Sequence, residues 1–218
     1  MFWISAIPAV LAVALILFAV KEPDRPKELR RVRMPLHRDE LRRLGTSYWW
    51  VVAVATVFTL ARFSEAFLIL RAQGVGLPLT LVPAVLVLMN VIYAAAAYPA
   101  GVMSDRIDRT TVLAVGLVLL VTADIALALL PSVTGVALGV VLWGLHMGLT
   151  QGLLATLVAD TSPPELRGTA YGLFNLLGGF AMLAASVIAG ALWDRAGPEA
   201  TFFAGAGFAL AALAGLLA

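Results

Sequence analysis

The chain has 218 residues, of which 61% are hydrophobic and 13% are charged. Soluble domains carry about 25% charged residues, and a water-facing surface could not hide this much apolar side chain, so a soluble globular domain is excluded. The absence of Cys excludes disulfides, thiolate metal ligands and Cys nucleophiles. The composition therefore predicts an all-α protein that resides in a membrane.

Seven apolar segments approach the roughly 20 residues that a helix needs to cross a bilayer. The first has no positively charged region before it, so it is interpreted as a membrane helix rather than a secretory signal. The predicted transmembrane helices are 2–20, 48–70, 79–100, 112–130, 135–159, 169–193 and 200–218.

Segment 21–47 holds nine of the fifteen Lys and Arg residues and is predicted to be a basic cytoplasmic linker. Its part 27–44 could instead form a surface helix with Arg and Leu faces. Loops 101–111 and 160–168 then lie inside too, giving twelve basic residues inside against two outside. This count predicts an outside N-terminus and a cytoplasmic C-terminus, and both ends look cut, as in a fragment.

The sequence lacks the motifs of several functional classes. No P-loop, His-Glu-x-x-His or Gly-x-Ser-x-Gly sequence is present, which argues against an ATP-driven pump, a zinc protease and a serine hydrolase. No Lys lies within a predicted span, so a retinal Schiff base is excluded. We expect no enzyme activity, no cofactor and no metal. The basic cluster beside apolar spans indicates a membrane face rather than nucleic-acid binding.

Charged residues inside spans are costly and are therefore functional candidates. Arg62 and Glu65 lie three residues apart on predicted helix 48–70, on one face and close enough to pair. Two interpretations stay open: a structural ion pair, or a substrate or proton site that lines a wet cavity.

Further polar side chains complete the candidate substrate or proton cavity. Asn90 suits a hydrogen bond between helices. His146 is either structural or suited to proton exchange, with Gln151 about one turn further along the same helix. Asn175 lies in the cytoplasmic half of helix 169–193, and Asp124 lies in mid-span without a partner in its own helix.

Small residues at four-residue spacing predict close helix packing. Gly144, Gly148 and Gly152 form two overlapping Gly-x-x-x-Gly steps, and Gly178-Gly179 is a candidate bend.

Two predicted cytoplasmic loops carry a family resemblance. Residues 101–109 have the sequence Gly-Val-Met-Ser-Asp-Arg-Ile-Asp-Arg, which resembles the Gly-x-x-x-Asp-Arg-x-x-Arg signature of the major facilitator superfamily. Residues 163–172 resemble the Pro-x-x-x-Arg-Gly-x-x-x-Gly segment that opens the eleventh helix of that superfamily. Asp108 departs from the pattern, because that position usually holds glycine.

The resemblance implies the C-terminal part of a twelve-helix fold made of two six-helix halves. Segment 2–20 corresponds to the sixth helix, 21–47 to the central linker, and the 48–218 bundle to helices seven to twelve. A missing N-terminal half and the lipid bilayer are then its partners. The seventh and tenth helices line the cavity in this fold, whereas Asp124 falls on a scaffold helix.

The implied function is alternating-access transport of a small solute across a plasma membrane, with proton-coupled efflux. The loop residues would form a cytoplasmic gate that opens as the halves rock apart, although simple positive-inside anchoring explains them as well. The gate residues are Gly101, Asp105, Arg106, Arg109, Arg167 and Gly168. Two rival hypotheses are a seven-helix receptor and a membrane subunit that does not itself transport.

Overall fold

In a computed structural model, residues 2–18 and 38–218 are described, and in them every regular element is a helix. Helix α1 belongs to one compact unit and helices α2 to α10 to a second. The prediction of an all-α membrane protein is confirmed. The helices are α1 Phe2–Phe18, α2 Arg38–Arg43, α3 Thr46–Ala61, α4 Ala66–Gly74, α5 Val82–Ser104, α6 Arg109–Leu129, α7 Val133–Thr150, α8 Leu153–Asp160, α9 Arg167–Ala196 and α10 Pro198–Leu217.

Six stretches of the described residues are long and apolar enough to cross a membrane. Helix α1 is also apolar but has 17 residues, slightly short of a full crossing, so the predicted count of seven is approximate. The predicted linker lies largely outside the described residues, and its described end contains the short helix α2. The six spans are Thr46–Gly74, Val82–Ser104, Arg109–Leu129, Val133–Asp160, Pro164–Ala196 and Pro198–Leu217.

Two of the six spans are interrupted. The first is divided into α3 and α4 by the four residues Arg62 to Glu65, and the fourth into α7 and α8 at Gln151 and Gly152. By contrast, α9 continues through the Gly178-Gly179 pair for 30 residues. Two adjacent glycines are therefore insufficient to end this helix, and the interruptions fall where the sequence pattern did not predict them.

Short connections fix the order of the helices. The Asp108 side chain caps α6 by accepting a hydrogen bond from the Thr111 amide at 3.1 Å. Ser132 caps α7 in the same way through the Gly135 amide. A single residue, Gly197, joins α9 to α10 with a φ of +89°, a conformation that glycine adopts readily.

Helix α6 packs between α7 and α10, while α5 packs along α7. The predicted glycine steps explain the second contact: a Cβ at Gly144 would lie 2.7 Å from the Met89 carbonyl oxygen, and one at Gly148 would lie 2.6 Å from the Ala96 Cβ. Gly152 has open space around it. Two of the three glycines thus allow close approach of helices, and the third does not take part.

A second, smaller apolar cluster joins the first residues of α3 to α8 and the beginning of α9. Tyr48 is fully buried there and donates a hydrogen bond to the Ala170 carbonyl oxygen at 2.9 Å. This cluster holds one end of the bundle together, and the main core fills the rest. Its buried members are Leu44, Tyr48, Val52, Val158, Leu166 and Ala170.

Candidate functional site

The interruption of the first span borders a cavity of about 360 Å³. The break lies about 24 Å along the helix axis from the beginning of α3, and the nine residues of α4 follow it within the same span. Four of the lining residues are the break itself, and the others come from α7 and α9. The cavity is lined by Arg62, Phe63, Ser64, Glu65, Trp143, Met182 and Ser186.

The break leaves backbone groups free beside this cavity. Among the described residues, the amides of Phe63, Ser64 and Glu65 donate no hydrogen bond to another backbone group. The Ser64 hydroxyl accepts from the Ala66 amide at 3.3 Å and so satisfies one donor at the beginning of α4. Irregular backbone at membrane depth is tolerated where it is buried in protein or lines a water-filled cavity, which makes the break a candidate solute-binding site.

Arg62 and Glu65 both line the cavity, but they form no salt bridge within the described residues. The prediction that they share a helical face is wrong, because the helix ends between them. Arg62 follows the C-terminus of α3, and Glu65 precedes the N-terminus of α4. Each charge therefore lies at the helix end whose dipole stabilises it. The Arg62 guanidinium carbon lies 5.7 Å from the centre of the Phe58 ring.

His146 is fully buried and does not line this cavity. Its Nδ1 lies 2.9 Å from the Gly116 carbonyl oxygen, which only accepts, so Nδ1 carries the proton of the neutral ring. Nε2 has no partner among the described residues. The ring packs edge-on against Phe58 at 5.4 Å. The structure therefore places His146 in the contact between α7 and α6, behind the residues that face the cavity.

Three other predicted cavity residues do not line the cavity at the break. Asn90, Gln151 and Asn175 are exposed, and none lines the cavity at the break. The Asn90 amide donates to the Leu86 carbonyl oxygen of its own helix at 2.8 Å. Their part in a solute or proton path stays a prediction.

Sequence reasoning missed several residues that the fold brings to the site. Phe63 and Ser64 lie between the two predicted charges, and Trp143 lies one turn before His146. An aromatic residue one turn from a mid-span His was a usable signal for Trp143. Met182 and Ser186 carry no comparable signal, because one polar or flexible residue per turn is common in such helices.

Among the described residues, one of the predicted gate residues forms a salt bridge. Arg109 forms a salt bridge with Asp160 at the end of α8, a residue that was not in the predicted set. Asp105, Arg106 and Arg167 are exposed and take part in no salt bridge with a described residue. The acid that pairs with Arg109 thus comes from a different helix and not from its own loop.

A cluster of interactions surrounds Arg71 in α4, which is only 5% exposed. Its Nε donates to the Leu127 carbonyl oxygen at 2.8 Å, and one terminal nitrogen donates to the Ala128 carbonyl oxygen at 3.1 Å. The other terminal nitrogen pairs with Glu199 at 3.2 Å. Arg71 therefore satisfies the last carbonyl groups of α6 and ties that helix end to α4 and α10.

Comparison with known proteins decides the family. The sequence profile of the Major Facilitator Superfamily matches residues 1–186, which include the break, the cavity and both loop signatures. The chain belongs to the major facilitator superfamily. An uncharacterized MFS-type transporter of Methanocaldococcus jannaschii is 35% identical over 172 residues, which cover 76% of this chain and 42% of the relative. The chain thus spans less than half the length of that relative.

Membership in the major facilitator superfamily agrees with the six apolar spans of the described residues, so the chain is a multi-pass membrane protein. It also points to a transporter family and away from an enzyme.

Helix α10, which supplies Glu199 and packs on α6, lies beyond the matched residues. The interrupted span and its cavity lie within them.

Proposed function

We propose that this chain forms one half of a secondary transporter for a small solute, which binds at the break between α3 and α4. One observation carries the proposal: the break combines irregular backbone, two charged side chains and a 360 Å³ cavity in the interior of a span. Interrupted helices at membrane depth are a recurrent way to build solute sites in transporters. The cavity size suits a small organic molecule.

Alternating access is the proposed mechanism. Two halves would rock about a site between them, so that the site opens to one side of the membrane at a time. The chain spans 42% of the length of its relative, which supports a second half as partner. The lipid bilayer is the other expected partner, since many apolar side chains of the described helices are exposed.

Coupling to protons and export of the solute belong to the same proposal. Ionisable side chains at membrane depth are costly and are found on proton and solute paths, and Arg62 and Glu65 face the cavity without pairing to each other. In an antiport, protons that move inward down their gradient would drive the solute outward.

We further propose that the ends of α5, α8 and α9 act as a cytoplasmic gate. The Arg109–Asp160 salt bridge supports this, because it joins the first residue of α6 to the last residue of α8. Asp105, Arg106 and Arg167 are exposed at the same end and are available to pair with the second half when the gate closes. Gly101 and Gly168 have open space around them, so another helix could approach there.

The proposed location is a plasma membrane with the basic segment and the α5–α6 loop in the cytoplasm. Single cysteines at Gln73 and Ser104 test this orientation in a chain that has no Cys of its own. A membrane-impermeant thiol reagent applied to intact cells should label Gln73→Cys and leave Ser104→Cys unlabelled. Permeabilised cells provide the control, because both sites should then react. The opposite pattern in intact cells would reject the orientation.

The transport proposal is tested by flux in proteoliposomes under a proton gradient, with a panel of small organic solutes. The two halves together should give saturable flux, whereas the 218-residue chain alone should give none. The Ser186→Leu variant fills the cavity from α9 without changing a charge and should reduce flux. Saturable flux from the chain alone would contradict the two-half mechanism. If the two halves together transported none of the solutes in the panel, the transport proposal would be contradicted.

A further inference from the structure

One ionisable side chain of the bundle is unused by the site described above. Asp124 in α6 is 0% exposed, and neither carboxyl oxygen has a hydrogen-bond partner among the described residues. It is the 16th of the 21 residues of α6, so it lies within the span and away from both helix ends. A buried carboxyl without a partner is unusual, because an isolated charge in an apolar interior is strongly disfavoured.

The surroundings of Asp124 connect it to the break. A Cβ built on Gly205 in α10 would lie 2.6 Å from the Asp124 Oδ2 atom and 2.8 Å from the Phe63 Cε1 atom. The carboxyl and the Phe63 ring therefore flank the same point of α10. Phe63 also lines the cavity, with its ring 5.7 Å from that of Trp143. One aromatic side chain thus touches both the surroundings of the buried carboxyl and the candidate solute site.

The glycine at position 205 is part of this arrangement. Any larger residue there would displace the carboxyl oxygen or the Phe63 ring, because both distances are below those of real Cβ contacts. Helix α10 therefore approaches α6 at the position where the carboxyl projects. The residue that the family resemblance assigned to a scaffold helix occupies a position next to the cavity wall.

Within the described residues, no charged partner neutralises Asp124. The titratable or charged groups on the elements around it each have another environment. His146 hydrogen-bonds to a backbone carbonyl group, and Glu199 pairs with Arg71. Arg62 and Glu65 face the cavity, while Asp194 and Arg195 are exposed at the end of α9. None of these forms a salt bridge with Asp124 in the described part of the chain.

We propose that Asp124 is a proton-binding site of the transporter, connected to the solute cavity through the side chain of Phe63. This inference rests on the proposed transport function. A proton fits the site better than a metal ion, because Ca²⁺ or Mg²⁺ requires about six oxygen ligands. Within the described residues, no group of three or more His, Asp or Glu side chains could hold a metal.

The binding step is a simple protonation. One Asp124 oxygen forms an O–H bond with a proton that arrives from water in the cavity, and the carboxylate loses its charge. The neutral acid can remain behind Phe63 in the apolar interior, whereas the carboxylate needs water or a donor. Release of the proton would therefore require Phe63 to move and admit water from the cavity. Since Phe63 belongs to the break, solute binding and proton release would involve the same four residues.

Infrared spectroscopy of the purified 218-residue chain tests the site directly. Between about pH 5 and pH 9, a range in which exposed carboxyl groups are ionised, the wild type should retain the C=O stretching band of a protonated carboxylic acid in an apolar environment. Asp124→Asn should abolish that band. Asp194→Asn is the matched control, because it makes the same change at an exposed carboxyl and should leave the band in place.

A second measurement uses the transporter with both halves. Asp124→Asn should lose solute accumulation driven by a proton gradient but retain exchange of labelled for unlabelled solute, which moves no net proton. Asp124→Glu, which keeps a carboxyl group, should retain part of the accumulation. This variant still tests the site if Asp124→Asn does not fold.

Two results would overturn the inference: the band persisting in Asp124→Asn, or proton-driven accumulation in that variant equal to the wild type. Failure here is distinct from failure of the proposed function. If no solute is transported by the wild type, the infrared band still decides whether Asp124 holds a proton.

Discussion

Two arginines in the same interrupted span have opposite environments. Arg71 in α4 is buried and donates to two carbonyl groups and a carboxylate. Arg62 at the break is only partly buried, and its guanidinium donates no hydrogen bond to a described residue. The donors of Arg71 are taken up by the fold, whereas no described residue accepts from those of Arg62. A charge within a span therefore has to be judged by its partners and not by its cost of insertion alone.

The largest expected effect on stability is at Arg71. Arg71→Ala leaves the Leu127 and Ala128 carbonyl groups without their donor, and each unpaired buried acceptor costs about 1–3 kcal/mol. We expect a loss of roughly 3 kcal/mol in the free energy of unfolding. Thermal unfolding of the purified chain in detergent measures it. Arg195→Ala, at an exposed arginine, is the control, and equal unfolding temperatures for the two variants would contradict the assignment.

A smaller effect is expected at Glu199, the carboxylate that pairs with Arg71. Its side chain is 50% exposed, and half-exposed ion pairs contribute up to about 1 kcal/mol. Glu199→Gln should therefore destabilise the chain less than Arg71→Ala. The difference from wild type should shrink at high salt, because salt screens exposed charges. A loss as large as that of Arg71→Ala at any salt concentration would show that the carboxylate, rather than the carbonyl groups, dominates.

At Arg62 the stability effect should be smaller still, although the functional effect is large. Arg62→Ala breaks no hydrogen bond to a described residue, so we expect an unfolding free energy within about 0.5 kcal/mol of wild type. Solute flux by the transporter with both halves should be lost. Arg62→Lys, which keeps the charge but not the planar set of donors, should retain part of the flux. Wild-type flux in Arg62→Ala would remove this residue from the solute site.

The smallest expected effect is the coupling between Arg62 and Glu65. Because the two side chains form no salt bridge, the stability effects of Arg62→Ala and Glu65→Ala should add within about 0.5 kcal/mol. A double-mutant cycle by thermal unfolding measures this. If the double variant were clearly more stable than either single variant, the two residues would pair in the membrane after all.

Much of the fold was accessible to sequence reasoning. Six of the predicted spans overlap the six spans of the structure, because uninterrupted apolar length is a strong signal. The break at Arg62 was not predicted, since the residues around it include neither Gly nor Pro and nothing marks the end of α3. The sequence indicated that Arg62 and Glu65 are special, but it assigned them to one continuous face.

The partners of charged residues were harder to predict. Asp160 and Glu199 lie far along the chain from Arg109 and Arg71, so these pairs depend on which helices pack together. The surroundings of Asp124 were equally hard to predict. Its position on α6 was visible in the sequence, but its proximity to Gly205 and Phe63 was not. The orientation in the membrane and the roles of the site residues remain predictions.

The single residue that joins α9 to α10 has a consequence for how the protein is made. Gly197 provides almost no length of chain between two membrane helices of 30 and 20 residues. Neither helix can therefore settle in the bilayer far from the other during synthesis, and we expect the pair to insert as one helical hairpin. Its tip carries Asp194, Arg195 and Glu199. In the proposed orientation this tip lies outside, so the three charges would have to cross the apolar layer together. In that orientation, insertion of this helix pair would require the translocation machinery to pass a charged tip in a single step.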